Sequence, residues 1–218
     1  MKTICITFLA LFITLSCFGQ EIEFCNSLNT SSEQRFQNAW GLGFQYQHPI
    51  SAKFKLGFGN HYHVKKSEFD YIPYIDADPN LVINDKISSN SQRFSFRFNI
   101  QGLILNNEYA SISLGPEISY NYLWGNDQIK RRVGQNSSGI ANLSDYSQNI
   151  DLTKSVGLGL ISKIEIKNFL TPKLSLCFTI RPEIITSGIF AKGMEQVFSG
   201  VLGFTEFQLG LKYSFKSN

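Results

Sequence analysis

Two histidines, His61 and His63, stand two residues apart beside Asn60 and Tyr62. On a β-strand residues two apart point to the same side, so both imidazoles could reach one ion or share one proton. A tetrahedral metal site needs further ligands, and none follows close by in sequence. Polar filling of a narrow interior accounts for the pair as well, and neither a metal nor a cofactor is assigned. His61 with Ser95 and Glu117 supplies the residue types of a lipid-modifying hydrolase. No motif ties the three together, so no catalytic residue is assigned.

Other candidates lie in polar stretches. Asp76-Ala77-Asp78-Pro79-Asn80 sets carboxylates at alternate positions, as calcium loops do, but lacks the glycine and distal glutamate of the helix-loop-helix pattern. Lys130-Arg131-Arg132 offers cationic donors to lipopolysaccharide phosphates, although a solvated turn explains it too. Asn29-Thr30-Ser31, Asn136-Ser137-Ser138 and Asn142-Leu143-Ser144 match a glycosylation sequon, a three-residue pattern that by itself assigns no function. Cys25 and Cys177 invite a disulfide if the chain is exported. If both lie on strands with the last strand between them, two ladder steps of ~4.8 Å exceed the ~7 Å reach of a bridge.

Export is written at the N-terminus. Lys2 precedes the apolar run Ile4 to Ile13, the layout of a secretory signal peptide, with cleavage expected after the small residue Gly19. Residues 1–19 are therefore read as the signal and 20–218 as one domain. The apolar run is shorter than the ~20 residues of a spanning helix. Thr14-Leu15-Ser16-Cys17 is a poor lipoprotein box, with Thr14 where an aliphatic residue is usual. No later stretch approaches ~18 uninterrupted apolar residues, which leaves strands as the means of crossing a membrane.

Composition agrees with strands. Of 218 residues 43% are hydrophobic, 14% aromatic and only 17% charged, with 19 Phe and 17 Gly, a mixture that suits short pleated segments with tight bends. The net charge of +3 is dispersed rather than clustered, which argues against a nucleic-acid partner.

Alternation by twos then places the elements. Trp40, Leu42, Phe44 and Tyr46 oppose Gly41, Gly43, Gln45 and Gln47; Phe94, Phe96, Phe98 and Ile100 oppose Arg93, Ser95, Arg97 and Asn99. Period two this strict identifies strands. Similar runs cover Phe54 to Val64, Ile112 to Trp124, Val156 to Ile166, Leu174 to Ile184 and Phe204 to Phe215, with a short strand expected around Ile22 to Asn26. That makes about eight, and Pro116 inside its run suggests an edge strand or a bulge. Short turns near Ile50, Asn107 and Leu170-Thr171-Pro172 interleave with long polar segments at Lys66–Asn90, Asn126–Asn149 and Gly188–Gly200, read as loops. Tyr62, Tyr120, Tyr122 and Trp124 would form an aromatic ring at the long-loop edge, and Tyr46, Tyr213 and Phe215 another at the opposite edge.

The chain ends Gln208-Leu209-Gly210-Leu211-Lys212-Tyr213-Ser214-Phe215. This resembles the terminal strand of outer-membrane barrels, with Lys216-Ser217-Asn218 trailing behind the last aromatic. With the signal peptide and strand pattern, the chain resembles the PorT-like and OmpA-like outer-membrane β-barrel proteins. The resemblance implies an antiparallel transmembrane β-barrel in the cell outer membrane, with short periplasmic turns and long extracellular loops. It implies contact with outer-membrane lipid and lipopolysaccharide, and insertion by the barrel-assembly machinery. It implies no activity. The expected role is structural, binding or secretion-associated, toward an unidentified extracellular or envelope protein. The rivals are a lipid-modifying enzyme and a soluble barrel holding an apolar ligand. Parity in the hairpin at Asn107 gives one further expectation: a three-residue turn, Asn106-Asn107-Glu108, sets Arg97 directly opposite Glu117, in a lumen plugged by charge pairs with Arg181, Glu183 and Glu206.

Overall fold

The computed structural model describes residues 20–31, 36–71, 81–135, 142–186 and 201–215, with the side chains of 69, 71, 81–84, 131–153, 186 and 201 left aside. Eight strands follow in chain order: β1 (Glu21–Ser31), β2 (Ala39–Pro49), β3 (Phe54–Tyr71), β4 (Leu81–Asn106), β5 (Ala110–Gln135), β6 (Asn142–Ile166), β7 (Leu174–Thr186) and β8 (Val201–Ser214). Each pairs antiparallel with the next, and β8 pairs with β1 to close a barrel. The short N-terminal strand is real and longer than expected. It is the element that lets β8 find a partner, so no ladder edge is left within the ring.

The registers fix the barrel's size. From Tyr213 the paired residues run through Ile22, Tyr46, Phe58, Phe98, Ile118, Leu158 and Ile184 and return to β8 at Gly203, ten residues from the start. Eight strands at that stagger tilt by about 40° around a backbone radius of about 8 Å. Such an interior is only wide enough for side chains.

Alternation settles which side chains those are. Phe24, Phe58, Leu158 and Leu209 point out, each at least half exposed, while Arg93, His61, Gln101 and Thr179 point in at 0%. The outward apolar runs Phe54–Val64, Phe94–Ile104, Val156–Ile166 and Leu174–Ile184 each cover eleven residues. At ~2.5 Å of axial advance per tilted residue they make a belt about 25 Å tall, the height of a hydrocarbon band. This polarity is the inverse of a soluble carrier's. Aromatics gather at the belt's margins: Tyr62 lies 6.3 Å from Trp124 and Tyr120 5.1 Å from Tyr122, and at the other end Tyr213 lies 5.2 Å from Phe215.

Three expectations need correction. Much of the long polar stretches is strand rather than loop. β3, β4, β5 and β6 have 18, 26, 26 and 25 residues against 11, 11, 13 and 14 for the others. Pairing of β2 with β3 stops at Trp40–Val64 and of β6 with β7 at Val156–Thr186, yet β3–β4 continues to Tyr71–Asp85 and β4–β5 to Leu81–Gln135. β4, β5 and β6 thus rise roughly 30 Å beyond the belt, with β3 alongside them for about the first 18 Å. Their polar faces erased the hydrophobic period while leaving the ladder intact, and Lys130-Arg131-Arg132 belongs to strand β5 rather than to a turn.

Second, Pro116 is not on an edge. Gly115 and Pro116 have no β4 partner between the Asn99–Glu117 and Gly102–Leu114 pairs, so the missing N–H falls in a gap of the ladder. Third, the β4–β5 turn is tighter than expected. Asn107 N donates to Ala110 O at 3.0 Å, and Asn107 Oδ1 accepts from Tyr109 N and Ala110 N, leaving Glu108-Tyr109 as a two-residue loop. That alone would oppose apolar to polar positions. A bulge between Leu103 and Leu105 adds Ile104 and restores the alternation. The register consequently moves by two: Arg97 faces Ser119, and Glu117 faces Asn99.

Candidate functional site

The densest chemistry in the molecule fills the lumen in layers. Nearest the long-strand end, the inward residues Leu123, Ile185 and Phe204 pack with Phe36, from the β1–β2 connection, into an apolar lid. Phe36 and Phe204 meet edge to face at 6.0 Å, and Arg93 Cζ lies 4.3 Å from the Phe204 ring centroid beneath it. Cation–π attraction of this kind strengthens when water is excluded.

Below the lid, three guanidinium groups meet three carboxylates. Arg93 Nη2 donates to Glu183 at 2.5 Å, and Arg97 Nη2 donates to Glu206 at 2.5 Å and to Glu183 at 3.4 Å. Arg97 Nη1 reaches Glu117 at 3.1 Å, so the expected ion pair forms diagonally despite the register shift. Glu117 is also held by Arg181, whose Nη2 donates to Gln45 Oε1 at 2.5 Å, and by Asn99 at 3.1 Å. Asn121 and Ser119 complete the shell of Glu183. Each of these side chains is within a few per cent of full burial, so charge balance, rather than any single contact, is what makes the layer tolerable in low dielectric.

Nearer the short turns lies a second layer, which the sequence reading did not single out. Lys212 donates to Glu165 at 2.5 Å and to Glu21 at 2.9 Å, Lys55 donates to Glu21 at 2.9 Å, and Lys163 pairs with Glu23. Again three cations face three carboxylates. The signal was available: Lys163 and Glu165 share the parity opposite Ile164 and Ile166.

His61 and His63 are drawn into the upper layer and are wholly buried. His61 Nδ1 lies 3.1 Å and His63 Nε2 3.3 Å from Glu206 Oε1. Ser27 Oγ is 2.9 Å from that same Nε2, while His63 Nδ1 has no partner. A nucleophile relay needs the hydroxyl and the acid on opposite ring nitrogens, so these three do not form one. Ser95 stands directly opposite His61 across the β3–β4 ladder, but its hydroxyl accepts from Arg97 Nε at 3.3 Å, and Glu117 is committed to the arginines. Among the described residues no group of three or more His, Cys, Asp or Glu could hold a metal ion. Asp76–Asn80 and Asn136–Ser138 lie outside the described residues; Asn29–Ser31 is in β1 and Asn142–Ser144 in β6. Cys25 and Cys177 are free and buried, each paired across the ladder with Gly210 on opposite sides of β8.

No family model matches the chain, and no curated protein matches it. Solved structures share the fold. A major outer membrane protein from Thermus thermophilus aligns with a TM-score of 0.52 at 10% identity, over 90% of this chain and 98% of that one. Ail, the attachment invasion locus protein of Yersinia pestis, aligns at 0.46 and 11%, over 90% and 96%, and the outer membrane protease OmpT of Escherichia coli at 0.42 and 11%, over 90% and 94%. At such identities the likeness is one of architecture.

Proposed function

We propose that this chain is an outer-membrane barrel of the OmpA-like and PorT-like kind that neither catalyses a reaction nor conducts solutes, and that presents its β3–β6 extension to an extracellular or envelope protein. The observation that carries the reading is the inverted polarity: an apolar belt about 25 Å tall outside, and a lidded lumen of balanced charges inside. The short turns share one rim with Gln20 and Phe215, where Phe215 N donates to Gln20 O at 3.0 Å. That rim faces the periplasm, and the extension faces out. Outer-membrane lipid and lipopolysaccharide contact the belt, and the assembly machinery engages β8 during insertion.

The test is direct. The protein should fractionate with outer membranes, migrate differently on gels before and after boiling, and give no steady channel steps in planar bilayers. Recovery as a soluble periplasmic monomer would overturn the membrane reading. Sustained open-pore conductance would overturn the sealed lumen.

A further inference from the structure

We infer that the outer wall around β3, reaching from β2 across β4 to β5, is a self-association face on which Asn60 of two copies meets across a twofold axis; the inference rests on the membrane reading above. Outward positions on β3 run Phe54, Leu56, Phe58, Asn60, Tyr62 and Val64, so one carboxamide interrupts an otherwise apolar and aromatic row. Its cross-strand neighbours are Phe44 and Phe96. With Tyr213 as the base of the belt, each step to the next strand climbs ~3 Å and each residue ~2.5 Å, which puts Asn60 about 14 Å up a belt of about 25 Å. It is exposed at mid-height.

Hydrocarbon offers that amide neither donor nor acceptor. The wall beside it is dented as well: a groove of ≈ 440 Å³ runs between Phe58, Phe96, Phe98, Ile118, Tyr120 and Val156, with Asn60 on its rim. Copies inserted by one route cross the membrane in one direction, so an axis relating two of them lies along the membrane normal and every residue keeps its depth. With Asn60 on that axis, the group facing it at its own depth is the second copy's Asn60. A carboxamide both donates and accepts, so two of them satisfy each other reciprocally. The flanking rings of one copy meet the groove of the other. Asn26 supplies an internal control: it also points out, about 13 Å up, but lies between Leu42 and Leu209 and does not line the groove.

The experiment uses Asn60→Cys, Asn26→Cys and Phe207→Cys in the full chain, oxidised with copper-phenanthroline in native membranes and run on non-reducing gels. Cys25 and Cys177 face the lumen, so the unsubstituted protein is the blank. Asn60→Cys should give a product of twice the mass, several-fold more than the other two. Asn60→Leu, which is compatible with lipid, should weaken self-association about tenfold by energy transfer in diluted vesicles, from the loss of two intramembrane hydrogen bonds. Equal cross-linking at all three positions, no dimer at Asn60→Cys, undiminished association of Asn60→Leu, or a product with a different protein overturns the inference. The heat-dependent gel shift is scored on the same samples: a retained shift without a dimer removes the dimer alone, whereas loss of the shift in the unsubstituted protein removes the barrel.

Discussion

Replacing Glu117 by Ala should destabilise the barrel chiefly through Arg181, not through Arg97. Arg97 keeps Glu206 at 2.5 Å and Glu183 at 3.4 Å when Glu117 goes. Among the described residues Arg181 keeps only Gln45 Oε1 at 2.5 Å, and its Nε has no partner there even now. An uncompensated buried charge costs ~3–5 kcal/mol, so Glu117→Ala should lose ~3–4 kcal/mol, most of it from stranding that guanidinium. Combining Glu117→Ala with Arg181→Ala restores a layer of two cations and two anions, and the pair should show a coupling of ~2–3 kcal/mol. Glu117 with Arg97→Ala should couple by ~1 kcal/mol. Both tryptophans, Trp40 and Trp124, sit on the outer wall, so guanidinium titration of vesicle-inserted protein can follow unfolding by fluorescence, with the gel shift as a second probe. Additive losses within ~0.5 kcal/mol, or a coupling to Arg97 exceeding that to Arg181, would refute the balanced-layer argument.

Gly115→Ala should block assembly or cost several kcal/mol, because a Cβ there would overlap the Ile100 carbonyl oxygen, a backbone atom that cannot swing aside; Gly203→Ala, with nothing within 4 Å, should fall within ~0.5 kcal/mol of the parent in the same titration. Truncation before Gln208 should abolish the heat-dependent gel shift, since it deletes half of the strand that joins β7 to β1; a normally inserted truncate would show that closure does not depend on it. Cys25→Ser should leave non-reducing mobility unchanged, because the two thiols are separated by β8 and two ladder steps of ~4.8 Å; a mobility change would place them closer than the register does.

Parity made the belt legible. Wherever one face was apolar and the other polar, as in Phe94 to Ile100, the alternation named the strand, its facing and the inward sense of Arg97, Arg181, Glu183 and Glu206. It failed where both faces were polar: Ser88-Ser89-Asn90-Ser91 carries no hydrophobic contrast, so a continuing ladder read as a loop. The first strand was faint for the opposite reason, since Glu21 and Glu23 look like solvated charges until Lys55, Lys163 and Lys212 are brought against them from β3, β6 and β8. Register inside the β4–β5 hairpin was out of reach because Asn107 can close a turn of either length. Only the ladder shows that Ile104 was the residue left over.

Ile104 also says how such a wall can change over evolutionary time. Every strand is in effect written in two-letter words, one for lipid and one for lumen, and Ile104 is one letter too many for the tight turn at Glu108-Tyr109, which the bulge sets outside the count. Deleting Ile104 alone would leave the turn and the register of the hairpin in place, because Leu105 already faces Ile112 and Leu103 already faces Ser113. Gain or loss of a single residue within the belt should therefore persist where a bulge such as this one absorbs it or where the paired strand changes to match, whereas the polar sheet above the belt, with no greasy letter to misplace, is free to lengthen or shorten by any count.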